Sequence, residues 1–398
     1  MAKYRFGDIC KVLNGRAYKQ NELLASGKYP ILRVGNFFSS DRWYYSDMEL
    51  PEDKYCDYED LLFAWSASFG PKIWDGEKVI YHYHIWKLIP NDDIADKWYL
   101  YYWLRHSVNR LTAGTHGSVM AHMTKGDMEN QSIELPSLQT QRKISSILRT
   151  IDEKIHNNVA INNNLLEQIK TICTAWLSEY KPFDGVMPSD WVETPLSDIA
   201  EFISGYSYKG TELTDSTIAM ATIKNFDRKG GFKLDGYKEI IPSSKLKESQ
   251  HAELFDTLVA HTDLTQNAEV IGNAELVMSK SGYDDIVFSM DLVKVLPKKD
   301  GVSKFLIAAI LQDKKFKAHC LGYVNGTTVL HLSKKALPEY KLLLPSDFST
   351  LKPLDEVVTA LYKQVSSNIS ENTYLEELRE SLLPKLMSGE LDVSNIEL

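Results

Sequence analysis

Long hydrophobic runs are missing from this 398-residue sequence. It contains no apolar stretch of about 18 residues, the length that a membrane-spanning helix needs. The first residues, MAKYRFGDIC, lack the apolar core of a signal peptide. Cysteine is scarce, and the residues at positions 10, 56, 173 and 320 show neither paired nor metal-ligand spacing. Such cysteines are typical of reduced, buried thiols, so we predict a cytoplasmic protein without a membrane partner.

Catalytic motifs are missing as well. There is no G-x-x-x-x-G-K-S/T phosphate loop, no G-x-G-x-x-G dinucleotide turn and no H-E-x-x-H zinc motif. The sequence also lacks the N/D-P-P-Y/F tetrapeptide with which adenine methyltransferases hold the target base. The segment PEDK resembles the start of a nuclease cluster, but a charged turn explains it better. We therefore predict no catalytic residue and no cofactor in this chain.

A metal site is the remaining candidate, at two histidines in KVIYHYHIWKLI. We predict one strand for this segment, with His82 and His84 on the same face. Because no third ligand lies nearby in the sequence, a packed or solvated pair is favoured over a metal site. We predict no metal site.

Basic residues are fewer than acidic ones. The chain has 45 Lys and Arg against 54 Asp and Glu, which gives a formal net charge of −9. This balance argues against a protein that coats nucleic acid, but it is compatible with a local basic groove because the field at a binding surface is local.

An internal repeat is what the sequence does contain. RFGDICKVLNGRAYK near the start resembles PLSDIAEFISGYSYKG, and ILRVGNF resembles MATIKNF. Later, HGSVMAHMTKGDMENQSIELPS resembles NGTTVLHLSKKALPEYKLLLPS. Short aromatic strands surround one helix in each copy, DKWYLYYWLRHSVNRL and VSKFLIAAILQDKKFKAHC. The repeat therefore predicts two similar α+β domains in one chain.

Each copy ends in a long helix whose apolar seam steps by four and three residues, as in a coiled coil. The seam of the second helix includes Val358, Leu361 and Val365. Both seams are interrupted twice by asparagine, at equivalent positions: Asn158, Asn162, Asn368 and Asn372. If the helices pair antiparallel, these amides face each other and determine the register, at some cost in stability. The alternative is that the asparagines are exposed and the seam stops there.

The predicted domain boundaries follow from the repeat. Residues 1–136 form the first α+β domain, 137–180 the central long helix, 181–346 the second α+β domain, and 347–398 the C-terminal long helix and tail.

The segments LPSLQTQRKI at the first junction and LLPKLMSGEL near the end make the chain resemble the specificity subunit of a type I restriction-modification system. The resemblance covers nearly the whole chain. The start of the second helix departs from the pattern, since LLLPSDFSTLKPLDEV lacks the Gln-Arg pair and carries Pro353.

The resemblance implies a bacterial or archaeal DNA-binding subunit without catalytic activity. Each α+β domain would be a target recognition domain that reads one half of a split, asymmetric site in double-stranded DNA. The helices would dock two methyltransferase (modification) subunits, which bind S-adenosylmethionine and methylate adenine. Restriction and translocase subunits would bring ATP and Mg chemistry. The alternatives are a specificity module of a type IIB-like methyltransferase-nuclease and a coiled-coil interaction protein that does not bind DNA.

Candidate DNA contacts are polar and basic residues in predicted loops, because base edges are read by such side chains and phosphates by Lys and Arg. A solvated surface role is the alternative for each of them. In the first domain they are Lys19, Arg33, Asn36, Arg42, Lys72, His116, Ser118, His122 and Lys125. In the second they are Lys209, Lys224, Asn225, Arg228, Lys229, Asn325, Thr327, Thr328, His331 and Lys334.

Overall fold

The computed structural model describes residues 1–38, 42–112, 123–265, 267–393 and 396. The chain divides into two compact units: unit 1 comprises Met1–Glu153 with Leu375–Leu398, and unit 2 comprises Lys154–Tyr374. Each unit contains one copy of the repeat and mixes strands with helices. The predicted α+β class is thereby confirmed.

Unit 1 is built on two four-stranded sheets and one strand pair. The first sheet has the strand order β2-β9-β6-β7, the second has the order β4-β3-β8-β5, and β1 pairs with β10. The strands are β1 Ala2–Arg5, β2 Cys10–Asn14, β3 Tyr29–Leu32, β4 Tyr44–Ser46, β5 Tyr55–Cys56, β6 Leu61–Ser66, β7 Ser68–Ile73, β8 Val79–Tyr81, β9 Ile85–Pro90 and β10 Ser132–Leu135. The helices are α1 Phe6–Ile9, α2 Val34–Phe38, α3 Lys97–Thr112 and α4 Lys125–Glu129, with 3₁₀ turns at Gln20–Glu22 and Glu52–Lys54.

A long helix, α5 Leu138–Leu177, follows β10. Unit 2 then repeats the frame with the sheet orders β12-β19-β15-β17 and β14-β13-β18 and the pair β11-β22, and it adds a small sheet, β16-β21-β20. Its strands are β11 Trp191–Pro195, β12 Ala200–Ser204, β13 Ile218–Ala221, β14 Lys238–Glu239, β15 Thr257–Ala260, β16 Thr262–Asp263, β17 Ala274–Leu276, β18 Asp285–Phe288, β19 Leu292–Pro297, β20 Val324–Asn325, β21 Leu330–Leu332 and β22 Lys341–Pro345.

The helices of unit 2 are short, apart from the last. They are α6 Leu196–Ile199, α7 Lys304–Leu311, α8 Lys314–Leu321 and α9 Ala336–Glu339, followed by the long α10 Lys352–Ser388. The 3₁₀ turns are Lys181–Phe183, Gly210–Glu212, Ile223–Asn225, Leu234–Gly236, Glu248–Gln250 and Phe348–Leu351. The single helix predicted for VSKFLIAAILQDKKFKAHC was wrong. It divides into α7 and α8 because the side chain of Asp313 accepts from Lys315 N at 2.6 Å and caps a new helix.

The predicted strand KVIYHYHIWKLI also divides. β8 ends at Tyr81 and β9 begins at Ile85, with a tight turn at His82–His84 in which Ile85 N donates to His82 O. The two histidines therefore do not share one face of a strand. Among the described residues, no group of three His, Cys, Asp or Glu side chains is placed to hold a metal ion.

The repeat is also visible at a pair of equivalent glycines, Gly15 and Gly205. Gly15 lies against the backbone of His82, and an added Cβ would be 2.4 Å from its carbonyl oxygen. Gly205 lies against Ser289 in the same way, and an added Cβ would be 2.0 Å from the carbonyl oxygen of Ser289. Both positions require glycine because the backbone of a second strand passes where a side chain would be.

We expect Gly205→Ala to destabilise the chain by about 1–3 kcal/mol or more, since the new Cβ overlaps backbone atoms that cannot rotate away. Gly210→Ala is the matched control, because nothing lies within 4 Å of its added Cβ. Denaturant unfolding of the full chain measures both. Equal stabilities for the two variants would contradict the close approach.

The paired asparagines define how the long helices run. In unit 2, Asn368 Nδ2 donates to Asn162 Oδ1 at 2.8 Å, and Asn158 Nδ2 donates to Asn372 Oδ1 at 2.8 Å. Asn158 precedes Asn162 on α5, whereas its partner Asn372 follows Asn368 on α10, so the two helices are antiparallel. Asn158, Asn162 and Asn368 are buried. A role of these amides in choosing the register stays a prediction.

The predicted seam of α10 differs from the structure at one residue. Tyr362 is fully buried, whereas Leu361 is only half-buried. Tyr362 stacks on Phe305 of α7, with ring centroids 6.1 Å apart, and its hydroxyl donates to Gln312 Oε1 at 2.8 Å. The helix therefore packs on its own α+β domain as well as on α5, which a two-helix seam does not predict.

Candidate nucleic-acid interface

In unit 1, three of the predicted residues gather around Tyr44. The guanidinium groups of Arg33 and Arg42 lie 5.2 and 5.3 Å from the centre of its ring. This double cation–π arrangement holds both guanidinium groups beside one aromatic ring. Sequence reasoning missed Tyr44, although the interleaving of basic and aromatic residues in DRWYYS was a usable signal.

The third residue, Asn36, holds this loop together. Its Oδ1 accepts from Arg33 N at 3.3 Å, and its Nδ2 donates to Arg42 O at 2.9 Å. The amide thus joins the two ends of the connection between β3 and β4. Asn36 shapes the loop that carries the two arginines.

The same pair of side-chain to backbone hydrogen bonds recurs in unit 2 at Asn225. Its Oδ1 accepts from Thr222 N at 2.8 Å, and its Nδ2 donates to Lys233 O at 2.8 Å, which closes the connection between β13 and β14. Asn225 is fully buried. Its predicted role as a DNA contact is therefore corrected: the amide anchors a loop and is not accessible to a ligand.

This second loop, residues 222–233, carries exposed Lys224, Arg228 and Lys229. Gly230 and Gly231 take φ values of 96° and 107°, the left-handed region that favours glycine. The loop forms one wall of a cleft of about 340 Å³ whose lining includes Lys224, Arg228 and Lys233. The lining also includes Asp235 and Glu269, so basic and acidic groups share this open depression in unit 2.

The opposite wall of the cleft is the loop that follows β16, with Leu264, Thr265 and Glu269. Arg228 Nε lies 3.1 Å from a carboxylate oxygen of Glu269 and joins the two walls. Sequence reasoning missed this loop. Its polar run DLTQNAE between two apolar strands was the available signal.

The hairpin β20-β21 lies on the same small sheet. Thr262 of β16 pairs with His331 of β21, and Asn325 of β20 pairs with His331 on the other side. Asn325, Thr327, Thr328 and His331 are all exposed. Lys334 follows β21, is exposed, and lies near His261. The pKa of His261 is lowered to about 4, first by burial and then by the charge of Lys334. The structure therefore brings these five predicted residues beside the cleft-lining loop.

Unit 1 has aromatic side chains at the turn between β8 and β9, which is equivalent to the turn between β18 and β19 of unit 2. Trp65 Nε1 donates to Tyr83 O at 2.8 Å, and His82 stacks on Tyr18 with ring centroids 6.3 Å apart. Burial, and then the charges of His84 and Arg33, lower the pKa of His82 to about 4, so the ring is neutral at pH 7.

Lys19 and Lys209 are equivalent residues with a local structural explanation. Each begins a 3₁₀ turn, and its backbone N–H donates to a carboxylate three residues later, at 2.8 Å to Glu22 and at 2.6 Å to Glu212. The turn accounts for their recurrence in the repeat. Both side chains are exposed.

The remaining candidates of unit 1 are less informative. Lys72 lies 3.4 Å from Asp75, and Lys125 lies 3.4 Å from Glu129, so both are paired with nearby carboxylates. His116, Ser118 and His122 lie outside the described residues.

Together these features define a class of protein: a duplicated α+β scaffold with long helices, whose copies share a sheet frame and present different basic loops. Within the described residues, no helix is both long and apolar enough to cross a membrane.

Comparison with known proteins agrees with this class. The family described as "Type I restriction modification DNA specificity domain" matches residues 1–170. The MjaVIII specificity subunit of Methanocaldococcus jannaschii is 23% identical over 352 residues, 85% of this chain and 80% of that protein. The HindI specificity subunit of Haemophilus influenzae is 22% identical over 71% of this chain and 74% of its own length. The crystal structure of a type I S subunit from M. genitalium superposes with a TM-score of 0.57 at 15% identity, covering 97% of this chain and 95% of that one.

The predicted resemblance is thereby confirmed: over most of its length the chain is similar to the specificity subunits of type I restriction-modification systems.

Proposed function

We propose that this chain binds double-stranded DNA sequence-specifically within a type I restriction-modification complex, with each α+β domain reading one half of a bipartite, asymmetric target. One observation carries the proposal. An asparagine-anchored loop joins equivalent strands in both units, and it presents Arg33 and Arg42 in one copy but Lys224 and Arg228 in the other. A shared frame with different exposed residues is what two readers of different half-sites need.

The chain supplies recognition, and its partner subunits supply the chemistry. Two methyltransferase subunits dock on the long helices, and restriction and translocase subunits complete the assembly. S-adenosylmethionine, ATP and Mg belong to those partners. Val159 and Ile161 support docking on α5, because each is 47% exposed and leaves apolar surface for a partner to cover. Since the partner is genomic DNA, the location we propose is the cytoplasm of a bacterium or archaeon.

The relatives above are subunits of type I enzymes, which favours this function over the two alternatives. A type IIB-like module would differ in its partners, and a coiled-coil protein without DNA binding would leave the two basic loops without a role.

Methylome sequencing of a strain with and without this chain tests the proposal. We expect one bipartite adenine-methylated motif to disappear on deletion and to return on re-expression. A strain that lacks only the methyltransferase subunit is the control and should lose the same motif. An unchanged methylome, with the methyltransferase subunit still produced, would contradict the proposal.

A further inference from the structure

We propose that the loop of unit 2 at residues 263–265 and 267–271 reads bases, and that its exposed residues Leu264 and Asn267 determine sequence preference in the second half-site. The inference rests on the proposed function and deepens it. It concerns a loop that none of the predicted DNA contacts includes.

This loop is an addition to the frame that the two units share. In unit 1, Ala64 pairs with Gly70, the two strands continue to the pair Ser66 and Ser68, and Ala67 alone connects β6 with β7. In unit 2, Ala260 lies opposite Asn273, and the equivalent connection runs through residues 261–272. Both connections meet the later segment in the same way, since Met123 N donates to Trp65 O and Leu332 N donates to His261 O. The two copies therefore match at the base of this connection and differ beyond it.

A buried carboxylate holds the added loop. Asp263 is 1% exposed. Its Oδ1 accepts from the backbone N and the hydroxyl of Thr265, both at 2.8 Å. Its Oδ2 accepts from Val270 N at 2.7 Å and from Ile271 N at 3.2 Å. Burial opposes the charge, but these donors outweigh it and keep the pKa of Asp263 below its ordinary value.

A lysine holds the loop from the other side. Lys317 of α8 extends its Nζ to the carbonyl oxygens of Ala268 and Glu269, at 3.1 and 3.2 Å, and to that of Ile271. It also donates to Asn273 Oδ1 at 2.8 Å. The buried carboxylate of Asp263 and the half-buried ammonium of Lys317 thus hold the backbone at 263–265 and 268–271, which lowers the ordering entropy that binding costs.

The loop presents one apolar and one amide side chain to solvent. Leu264 is 66% exposed, and Asn267 is exposed as well. An apolar side chain of this kind contacts the 5-methyl group of thymine, and an asparagine amide makes paired hydrogen bonds with adenine. Lys224 lines the cleft beside the loop and is suited to a neighbouring phosphate, whereas Arg228 is paired with Glu269.

The test uses the intact assembly with Leu264→Ala and Asn267→Ala, singly and together, on a panel of DNAs with every base varied in both halves. We expect discrimination to fall about tenfold or more at one or two base positions of the second half-site. The first half-site should stay as it was. Lys317→Met, which frees the loop and keeps both reading side chains, should relax the same positions, and thermal unfolding reports its separate effect on stability.

Lys224→Ala is the matched control for a phosphate contact. It should weaken binding equally on all sequences and reduce the slope of log affinity against log salt by about one. Unchanged discrimination in the Leu264→Ala/Asn267→Ala double variant would overturn the reading role, and so would a uniform loss on every sequence. Both results leave the proposed function standing. That function fails instead if the unsubstituted assembly shows no sequence preference at all, and the inference then fails with it.

Discussion

Replacing residues 1–135 with the equivalent segment of a relative that has a different target should change one half of the methylated sequence completely and leave the other half unaltered. The physical reason is that the Arg33, Arg42 and Tyr44 group and the aromatic turn lie entirely within this segment. The Lys224 and Arg228 loop lies entirely outside it. Methylome sequencing of a strain that carries the chimera measures the result.

The exchange succeeds only if the new domain fits the retained helix α5. Tyr102 hydroxyl donates to Asp152 Oδ2 at 2.6 Å, and Gln141 of α5 accepts from Asp96 N at 2.9 Å and donates to Ile94 O at 3.0 Å. The relative that supplies the new segment should therefore have a tyrosine equivalent to Tyr102. Each of these hydrogen bonds that loses one partner would lower the stability of the chimera by about 1–3 kcal/mol.

The reciprocal exchange of residues 190–345 is the control and should alter only the opposite half. If either chimera alters both halves of the methylated sequence, readout is shared between the domains and the one-domain-per-half-site proposal is contradicted.

The asparagine layers should respond to substitution in pairs. Asn162→Leu alone should destabilise the chain by about 1–3 kcal/mol, because it leaves the buried Nδ2 of Asn368 without its acceptor. Adding Asn368→Leu should recover this loss, since two apolar side chains replace two amides in a buried layer. Leucine at all four positions, including Asn158 and Asn372, should raise the melting temperature above that of the original chain.

Asn163→Leu is the matched control, since this neighbouring side chain is exposed. Its effect should stay within about 0.5 kcal/mol. Thermal and denaturant unfolding of the full chain measure the stabilities of the single and double variants, which together form a double-mutant cycle. Additive losses from Asn162→Leu and Asn368→Leu would show that the two amides do not depend on each other.

The register role is tested separately from stability. If the amides penalise slipped alignments, the four-leucine variant should be more stable yet show several helix registers, which cysteine cross-linking across α5 and α10 detects. A single register in that variant would mean that the apolar layers alone determine the alignment.

The sequence alone determined the features that depend on local pattern. The division into two similar units, the equivalence of Gly15 with Gly205, and the positions of the four interrupting asparagines all follow from the internal repeat. The repeat reports these features because equivalent residues recur at a nearly constant distance along the sequence. The alignment of ILRVGNF with MATIKNF likewise found the two equivalent loops, although not what their asparagines do.

Only the tertiary structure decided which side chains are accessible and what they contact. Asn225 has the chemistry of a base reader, but burial makes it a loop anchor. Tyr362 is buried because α7 packs against α10, a contact between segments about 50 residues apart. The loop that follows β16 lies beside Arg228 because Asp263 and Lys317 hold its backbone there. These properties depend on contacts between residues distant in sequence, and no pattern along one chain encodes them locally.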